Sequence, residues 1–379
     1  MKIRSKLKKR IESELVKQKK EHLYRIPNQK NSLIDFCSND YFGFANSDDL
    51  NDITNELIKI FNQKNGSTGS RLISGNNPLI EKTETELTNF FNGESGLIFN
   101  SGYDANIGFF STIPKRNDTI IYDELIHASI REGIKLSNSK SYSFKHNSTI
   151  DLQNKIKFAK GEIFIAVESI YSMDGDEAPL IELDKLCNSN GYHLIIDEAH
   201  STGFCSNNFF SLTQKYNIKP LARLHTFGKA MGCHGAIWIT SNSIKYYLIN
   251  FCKTFIYTTA LPPHSVAMML ASSHLLKERI ILNQILSEKI NLFKNLAKKF
   301  KITSLINSNS PIQSIIISGN QNVISVMKYL NRHGYDIKAI RKPSVPKGKE
   351  RIRICLHTYN SDYQIKELLK YLNQVLNEK

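Results

Sequence analysis

The chain has 379 residues, of which 41% are hydrophobic and 22% charged, and a formal net charge of +15. That length allows two domains, or one large domain with a smaller appendage, in an ordinary globular composition. No apolar stretch approaches the roughly 18 residues of a membrane span, the basic amino terminus leads into no apolar core of the secretory kind, and the cysteines at 37, 187, 205, 233, 252 and 355 include no Cys-x-x-Cys pair. Neither a zinc site nor a disulfide framework is therefore expected, and a reducing cytoplasmic setting fits, with no membrane partner.

Much of the positive charge lies at the start. Lys2, Arg4, Lys6, Lys8, Lys9, Arg10, Lys17, Lys19 and Lys20 face only Glu12 and Glu14. Ile3, Leu7, Ile11 and Leu15 recur every fourth residue, which predicts an amphipathic helix with a narrow apolar stripe. The expectation is a solvated helix docked on the main body rather than a nucleic-acid module, within an amino-terminal segment 1–38. Its positive field would gather small polyanions.

From about residue 94 to 240, short apolar runs alternate with helical patterns. The runs are Leu97-Ile98-Phe99, Thr119-Ile120-Ile121-Tyr122, Ile163-Phe164-Ile165-Ala166-Val167, Leu194-Ile195-Ile196 and Ala236-Ile237-Trp238-Ile239. They read as buried strands of a mainly parallel sheet in an α/β domain spanning 39–262. Pro262-Pro263 marks the expected boundary. Beyond it a helical pattern precedes apolar runs at Ile312–Ile317 and Ile352–Leu356, predicting a smaller α+β domain over 263–379.

Polar groups follow several runs: Asn100-Ser101-Gly102, Glu168-Ser169 and Asp197-Glu198. In open α/β sheets ligands bind outside the carboxyl ends of strands, so these residues should converge. One run ends in Asp197-Glu198-Ala199-His200, and Lys229 lies downstream in Thr226-Phe227-Gly228-Lys229. A strand-end acid followed by a lysine in a glycine-flanked turn suits pyridoxal 5'-phosphate (PLP). That cofactor needs a lysine amine to bond and an acid against its pyridinium nitrogen.

Five segments, those two among them, carry a family resemblance. They are Gly66-Ser67-Thr68-Gly69-Ser70-Arg71-Leu72-Ile73-Ser74-Gly75, Tyr171-Ser172-Met173-Asp174-Gly175-Asp176, Asp197-Glu198-Ala199-His200-Ser201-Thr202-Gly203, Thr226-Phe227-Gly228-Lys229 and Ile256-Tyr257-Thr258-Thr259-Ala260-Leu261-Pro262-Pro263. In this order and spacing the chain resembles the α-oxoamine synthases, PLP-dependent acyltransferases of fold type I. The likeness runs from Phe36-Cys37-Ser38-Asn39-Asp40-Tyr41-Phe42-Gly43 to Arg351-Ile352-Arg353.

The resemblance implies roles. Lys229 would bond the cofactor and then serve as base or acid at the substrate α-carbon; Asp197 would hold the pyridinium proton. His200 would meet the cofactor's phenolic oxygen, and His127 would stack on its ring. Gly102 and Tyr103, at a helix amino terminus, would cradle the phosphate, with Ser172 and Thr226 adding hydroxyls. Thr259 would reach the phosphate of the other subunit of a homodimer. Arg353 would take the amino-acid carboxylate in a bidentate fork. Ser344 and Arg25 would touch substrate, and Glu168 and Asn39 would lie near the thioester carbonyl.

Two positions depart from the family pattern: Ile80 stands where a histidine is frequent, and His234 is bulky for its turn. The implied reaction joins L-alanine to a pimeloyl thioester with loss of carbon dioxide, in biotin biosynthesis. The carrier, coenzyme A or a protein, stays open. The alternative is a sibling reaction such as glycine with acetyl-coenzyme A.

Overall fold

The computed structural model describes residues 2–27, 32–205 and 209–377. Contacts divide the chain into two units. The larger comprises residues 39–172 and 176–287; the smaller comprises 1–38, 173–175 and 288–379.

The larger unit is built on a seven-stranded sheet. Its strands lie in the order Ser95–Phe99, Ala236–Thr240, Ala222–Thr226, His193–Asp197, Ile163–Glu168, Thr119–Asp123 and Lys140–Phe144. From Ala222–Thr226 to Lys140–Phe144 every pairing is parallel; Ala236–Thr240 runs antiparallel to both its neighbours. All five expected strands are present, and their unbroken apolar runs match burial on both faces.

Two strands were not foreseen, for different physical reasons. Lys140–Phe144 is an edge strand whose mostly exposed residues need no apolar run. Ala222–Thr226 is buried yet carries Arg223 and His225. Both are paired inside the protein. Arg223 donates to Thr213 Oγ1 at 2.8 Å and to the Asn92 carbonyl at 3.0 Å. His225 stacks on Phe91 with centroids 3.7 Å apart and pairs with Thr202 Oγ1 at 3.1 Å. Satisfied polar groups can be buried in a central strand, and they hide its periodicity.

Helix Gly102–Thr112 covers one face of this sheet. Trp238, fully buried, donates its indole N–H to the Ala105 carbonyl at 2.9 Å and packs its ring on Phe109. Helix Ala128–Leu136 lies close against Gly102–Thr112 because Gly133 has no side chain. A Cβ there would come within 2.9 Å of the Asn106 carbonyl and of Phe110 Cβ.

Pro262-Pro263 does not end the larger unit. Pro263 is the first residue of helix Pro263–Glu278, where its missing N–H costs nothing. That helix packs on Asp48–Ile60 and Pro78–Phe90, inside the larger unit. The change of unit falls at 287/288, within helix Ile281–Lys299.

The smaller unit has an antiparallel sheet in the order Lys338–Ile340, Arg351–Cys355, Ile312–Ile316. Helix Asp362–Asn377 buries Ile365, Leu368, Leu369, Leu372 and Val375, one face at helical spacing. This is the expected α+β arrangement. Helix Lys2–Lys20 also forms as expected, but it is not docked by its stripe: Leu7, Ile11 and Leu15 are 49%, 48% and 44% exposed. The Ile3 side chain lies outside the described set. No described helix is long and apolar enough to cross a membrane.

The contact at Gly133 yields a stability prediction. Gly133→Ala should cost about 1–3 kcal/mol, the usual range for forcing extra volume into a packed site. Gly66→Ala, whose Cβ would meet nothing within 4 Å, should be close to neutral. Urea unfolding of the two variants beside the parent checks the difference.

Candidate active site

Glu168, Asp197 and Thr226 are the last residues of three adjacent parallel strands, and Glu168 sits in register with Asp197. Strand pairing thus delivers two acids and a hydroxyl to one edge of the sheet, where open α/β folds bind ligands. Lys229 reaches the same edge by a loop. Ala222–Thr226 and Ala236–Thr240 are antiparallel neighbours, so residues 227–235 turn back on themselves. The turn is closed by Gly232 N–H to the Lys229 carbonyl at 2.9 Å and Cys233 N–H to the Phe227 carbonyl at 2.8 Å. Gly232 has φ +65°, and a Cβ on it would lie 2.4 Å from Ala45 N. Only glycine suits both demands.

A cavity of about 210 Å³ opens at this edge. Of the residues expected from sequence, Gly102, Tyr103, His127, Glu168, Asp197, Thr226 and Lys229 line it together. So does His234, whose bulk the turn accommodates by presenting it to the cavity.

At one end is the amino terminus of helix Gly102–Thr112. Ser101 caps it, accepting the Asp104 N–H at 3.1 Å. The first amides remain for an anion, with the helix dipole behind them. A Cβ on Gly102 would lie 2.6 Å from Thr226 Cγ2, so the glycine lets the helix start close to that threonine. Thr226 Oγ1 is buried with no hydrogen-bond partner.

At the other end Asp197 is held on both oxygens. Oδ1 accepts the Ala199 N–H at 2.9 Å, and Oδ2 accepts from Asn106 Nδ2 at 2.8 Å. Burial raises the Glu168 carboxyl to about 8; Asp197 pushes the same way, while Lys229 and the Ser172 N–H oppose it. Burial holds His127 below the ordinary histidine range, with Asp197 raising it and Lys229 lowering it. Its Nδ1 lies 2.7 Å from Ser129 Oγ and accepts the Ser129 N–H at 3.2 Å. A buried unpaired hydroxyl, an uncovered helix terminus, an acid at a strand end and a flat imidazole fit the cofactor that the resemblance implies.

Other expected residues lie elsewhere. His200 is buried and does not line the cavity; its Nδ1 is 2.8 Å from the Tyr41 hydroxyl. The Ser172 N–H binds Glu168 Oε2 at 3.2 Å. Asn39 offers its carbonyl to the Tyr41 N–H, and Thr259, exposed, offers its own to Asn100 Nδ2. Arg25, Ser344 and Arg353 belong to the smaller unit. Arg25 and Ser344 are exposed there, whereas Arg353 is buried on its strand with Nη1 2.9 Å from Cys355 Sγ. Ser101 lines the cavity, as the convergence of strand-end polar groups implied, whereas Asn106, Ser129 and Tyr41 were given no role from sequence. Asn106 left one trace: an amide among the mostly apolar buried residues of its helix.

Comparison with known proteins gives the family. The family of class I and II aminotransferases matches residues 31–372. The chain belongs to that family, in its α-oxoamine synthase branch. An 8-amino-7-oxononanoate synthase of Emericella nidulans is 37% identical over 369 residues, covering 89% of this chain and 88% of its own. Another, of Photobacterium profundum, is 31% identical, covering 93% and 90%. The solved 8-amino-7-oxononanoate synthase of Francisella tularensis superposes with a TM-score of 0.78 at 29% identity, covering 92% of this chain and 99% of that one. A serine palmitoyltransferase of S. paucimobilis, solved with a PLP adduct, gives 0.88 at 23% identity, covering 97% of each, and shares the fold. As an α-oxoamine synthase the chain is an acyl-transferring enzyme.

The position of Glu168 gives a prediction with a definite sign. Its pKa is raised above the unfolded value near 4.5, so the folded state holds the extra proton between 4.5 and about 8. Stability therefore falls as pH rises through that window. Glu168→Gln, always neutral, should stabilise the cofactor-free protein relative to the parent. The gain should grow from pH 5 to 8 and level off above; denaturant midpoints at four pH values would measure it.

Proposed function

We propose that this enzyme uses PLP to condense L-alanine with a pimeloyl thioester. The products are 8-amino-7-oxononanoate, carbon dioxide and the free thiol of coenzyme A or a carrier protein, in biotin biosynthesis. The observation that carries the reading is the meeting of Lys229, Asp197 and His127 in one cavity whose far end is a capped helix terminus. Relatives named 8-amino-7-oxononanoate synthase support the choice of substrates.

When bound, PLP supplies an aldehyde for amines and a ring that accepts electrons from the amino acid's α-carbon. The chain's residues do the rest. The amides of Gly102 and Tyr103 and the Thr226 hydroxyl hold the phosphate, with Ser172 as a further donor. Asp197 keeps the ring nitrogen protonated, His127 covers the ring face, and His200 serves the phenolic oxygen. Lys229 holds the cofactor covalently, then moves the proton at the α-carbon of alanine.

Arg353 receives the alanine carboxylate, with Ser344 beside the substrate. Glu168 carries a proton at neutral pH and so can donate to the thioester oxygen, which an ionised carboxylate could not. Asn39 shares that task, and Arg25 meets the far carboxylate of the acyl chain. A homodimer completes the site, with Thr259 serving the partner's phosphate. The exposed Leu72, Ile73 and Tyr257 near that segment support such an interface. Six free cysteines support a reducing, cytoplasmic setting.

Two measurements test the reading. The purified protein should show a visible PLP band that borohydride fixes to Lys229, and Lys229→Ala should lose both the fixed adduct and nearly all turnover. In a panel of alanine, glycine and serine against pimeloyl, acetyl, succinyl and palmitoyl thioesters, kcat/KM should be highest for alanine with pimeloyl. The acyl chain should carry most of the discrimination, because one methyl contributes only about 1–3 kcal/mol. A preference for glycine with acetyl thioester would keep the branch and remove the substrates.

A further inference from the structure

Asn106 projects from the second turn of helix Gly102–Thr112 and is 1% exposed. Its one side-chain nitrogen makes two bonds: to Asp197 Oδ2 at 2.8 Å and to Ser129 Oγ at 2.9 Å. An amide NH2 has two protons, so both are used. The reverse orientation would turn the amide oxygen toward a carboxylate, two acceptors face to face. Asn106 Oδ1 is left buried without a partner, so the donor bonds alone fix the side chain.

The line continues. With its oxygen occupied as an acceptor, the Ser129 hydroxyl has its own proton to give, and His127 Nδ1 is 2.7 Å away. The Ser129 backbone N–H points at the same nitrogen. Two donors at Nδ1 leave the imidazole neutral, with its proton on Nε2. The charged groups facing His127 are Asp197 and Lys229, and burial outweighs them in disfavouring the charged ring.

We propose that Asn106 is the positioning residue of the active site, tying the acid for the cofactor ring nitrogen to the imidazole that covers the ring. The link runs Asp197–Asn106–Ser129–His127, and it rests on the PLP reading only for what the two ends do. By donating to Asp197, Asn106 favours the ionised carboxylate and fixes its plane. By engaging Ser129, it orients the hydroxyl proton toward His127 Nδ1 and reinforces the tautomer that the Ser129 backbone N–H favours. Acid and stacking ring are thereby aligned before the cofactor enters, from one helix whose first turn also holds the phosphate.

The test is ¹⁵N-histidine NMR of the cofactor-free protein, so it does not depend on PLP chemistry. In the parent, His127 should be the neutral Nε2–H tautomer at pH 7. In Asn106→Ala the Ser129 hydroxyl loses the donor that holds it and can turn away from Nδ1; with that hydrogen bond to the neutral ring gone, the His127 pKa should rise by about one unit or more. Ser129→Ala should move it similarly, and the double variant should move it no further. In the holoenzyme, Asn106→Ala should lower kcat about tenfold or more with KM for alanine nearly unchanged, the pattern for a group that orients rather than binds. An Nδ1–H tautomer in the parent overturns the proposal without any variant. So does an unchanged His127 pKa in Asn106→Ala. If the NMR result holds but no visible PLP band forms, the linkage stands and the cofactor reading fails.

Discussion

Two carboxylates buried side by side cannot both be ionised cheaply, and the active site is arranged around that constraint. Parallel pairing brings Glu168 and Asp197 to neighbouring strand ends in register. Asp197 has donors on both oxygens, from Ala199 N–H and Asn106 Nδ2. Glu168 has one, from the Ser172 N–H, while its other oxygen is buried without a partner. Hydrogen bonds to a carboxylate stabilise its charge, and burial without them does the opposite. The pair is therefore unequal: Glu168 is pushed toward the protonated acid, while both oxygens of Asp197 are engaged by donors.

The same edge receives Lys229 because one strand breaks the parallel rule. Had the strand after Thr226 been parallel, its connection would have crossed the sheet through a helix, carrying residues 227–235 away. Ala236–Thr240 instead runs antiparallel, so the connection is a tight turn that stays at the carboxyl edge. Gly232 and Gly235, both at positive φ, make that turn possible. A reversal of strand direction thus fixes where the lysine can be.

Much of this was legible in the sequence. Fully buried strands are written as apolar runs, and the acids and glycines after them mark the binding edge. The meeting of Lys229 and Asp197 in one cavity was readable because a strand-end acid and a lysine in a glycine-flanked turn were expected to converge at that edge. The strand Ala222–Thr226 was not readable, because Arg223 is buried by bonding Thr213 and the Asn92 carbonyl and His225 by stacking on Phe91, contacts that only the fold brings together. Asn106 was equally obscure: a single asparagine in a helix gains meaning only when Asp197, 91 residues away, is seen to accept its proton. The break expected at Pro262-Pro263 failed because proline opens a helix as readily as it ends one. The apolar stripe of Lys2–Lys20 predicted a helix correctly but not a covering surface, since periodicity says which face is apolar and not what meets it.

The central claim is that Asp197 acts as an ion against a protonated cofactor ring in the cavity that holds Lys229. The most direct measurement is ¹⁵N NMR of the protein loaded with PLP labelled at the pyridine nitrogen. The account predicts the chemical shift of a protonated ring at pH 8, displaced toward the unprotonated position in Asp197→Ala. An unprotonated nitrogen in the parent, or a shift indifferent to the loss of Asp197, would contradict it.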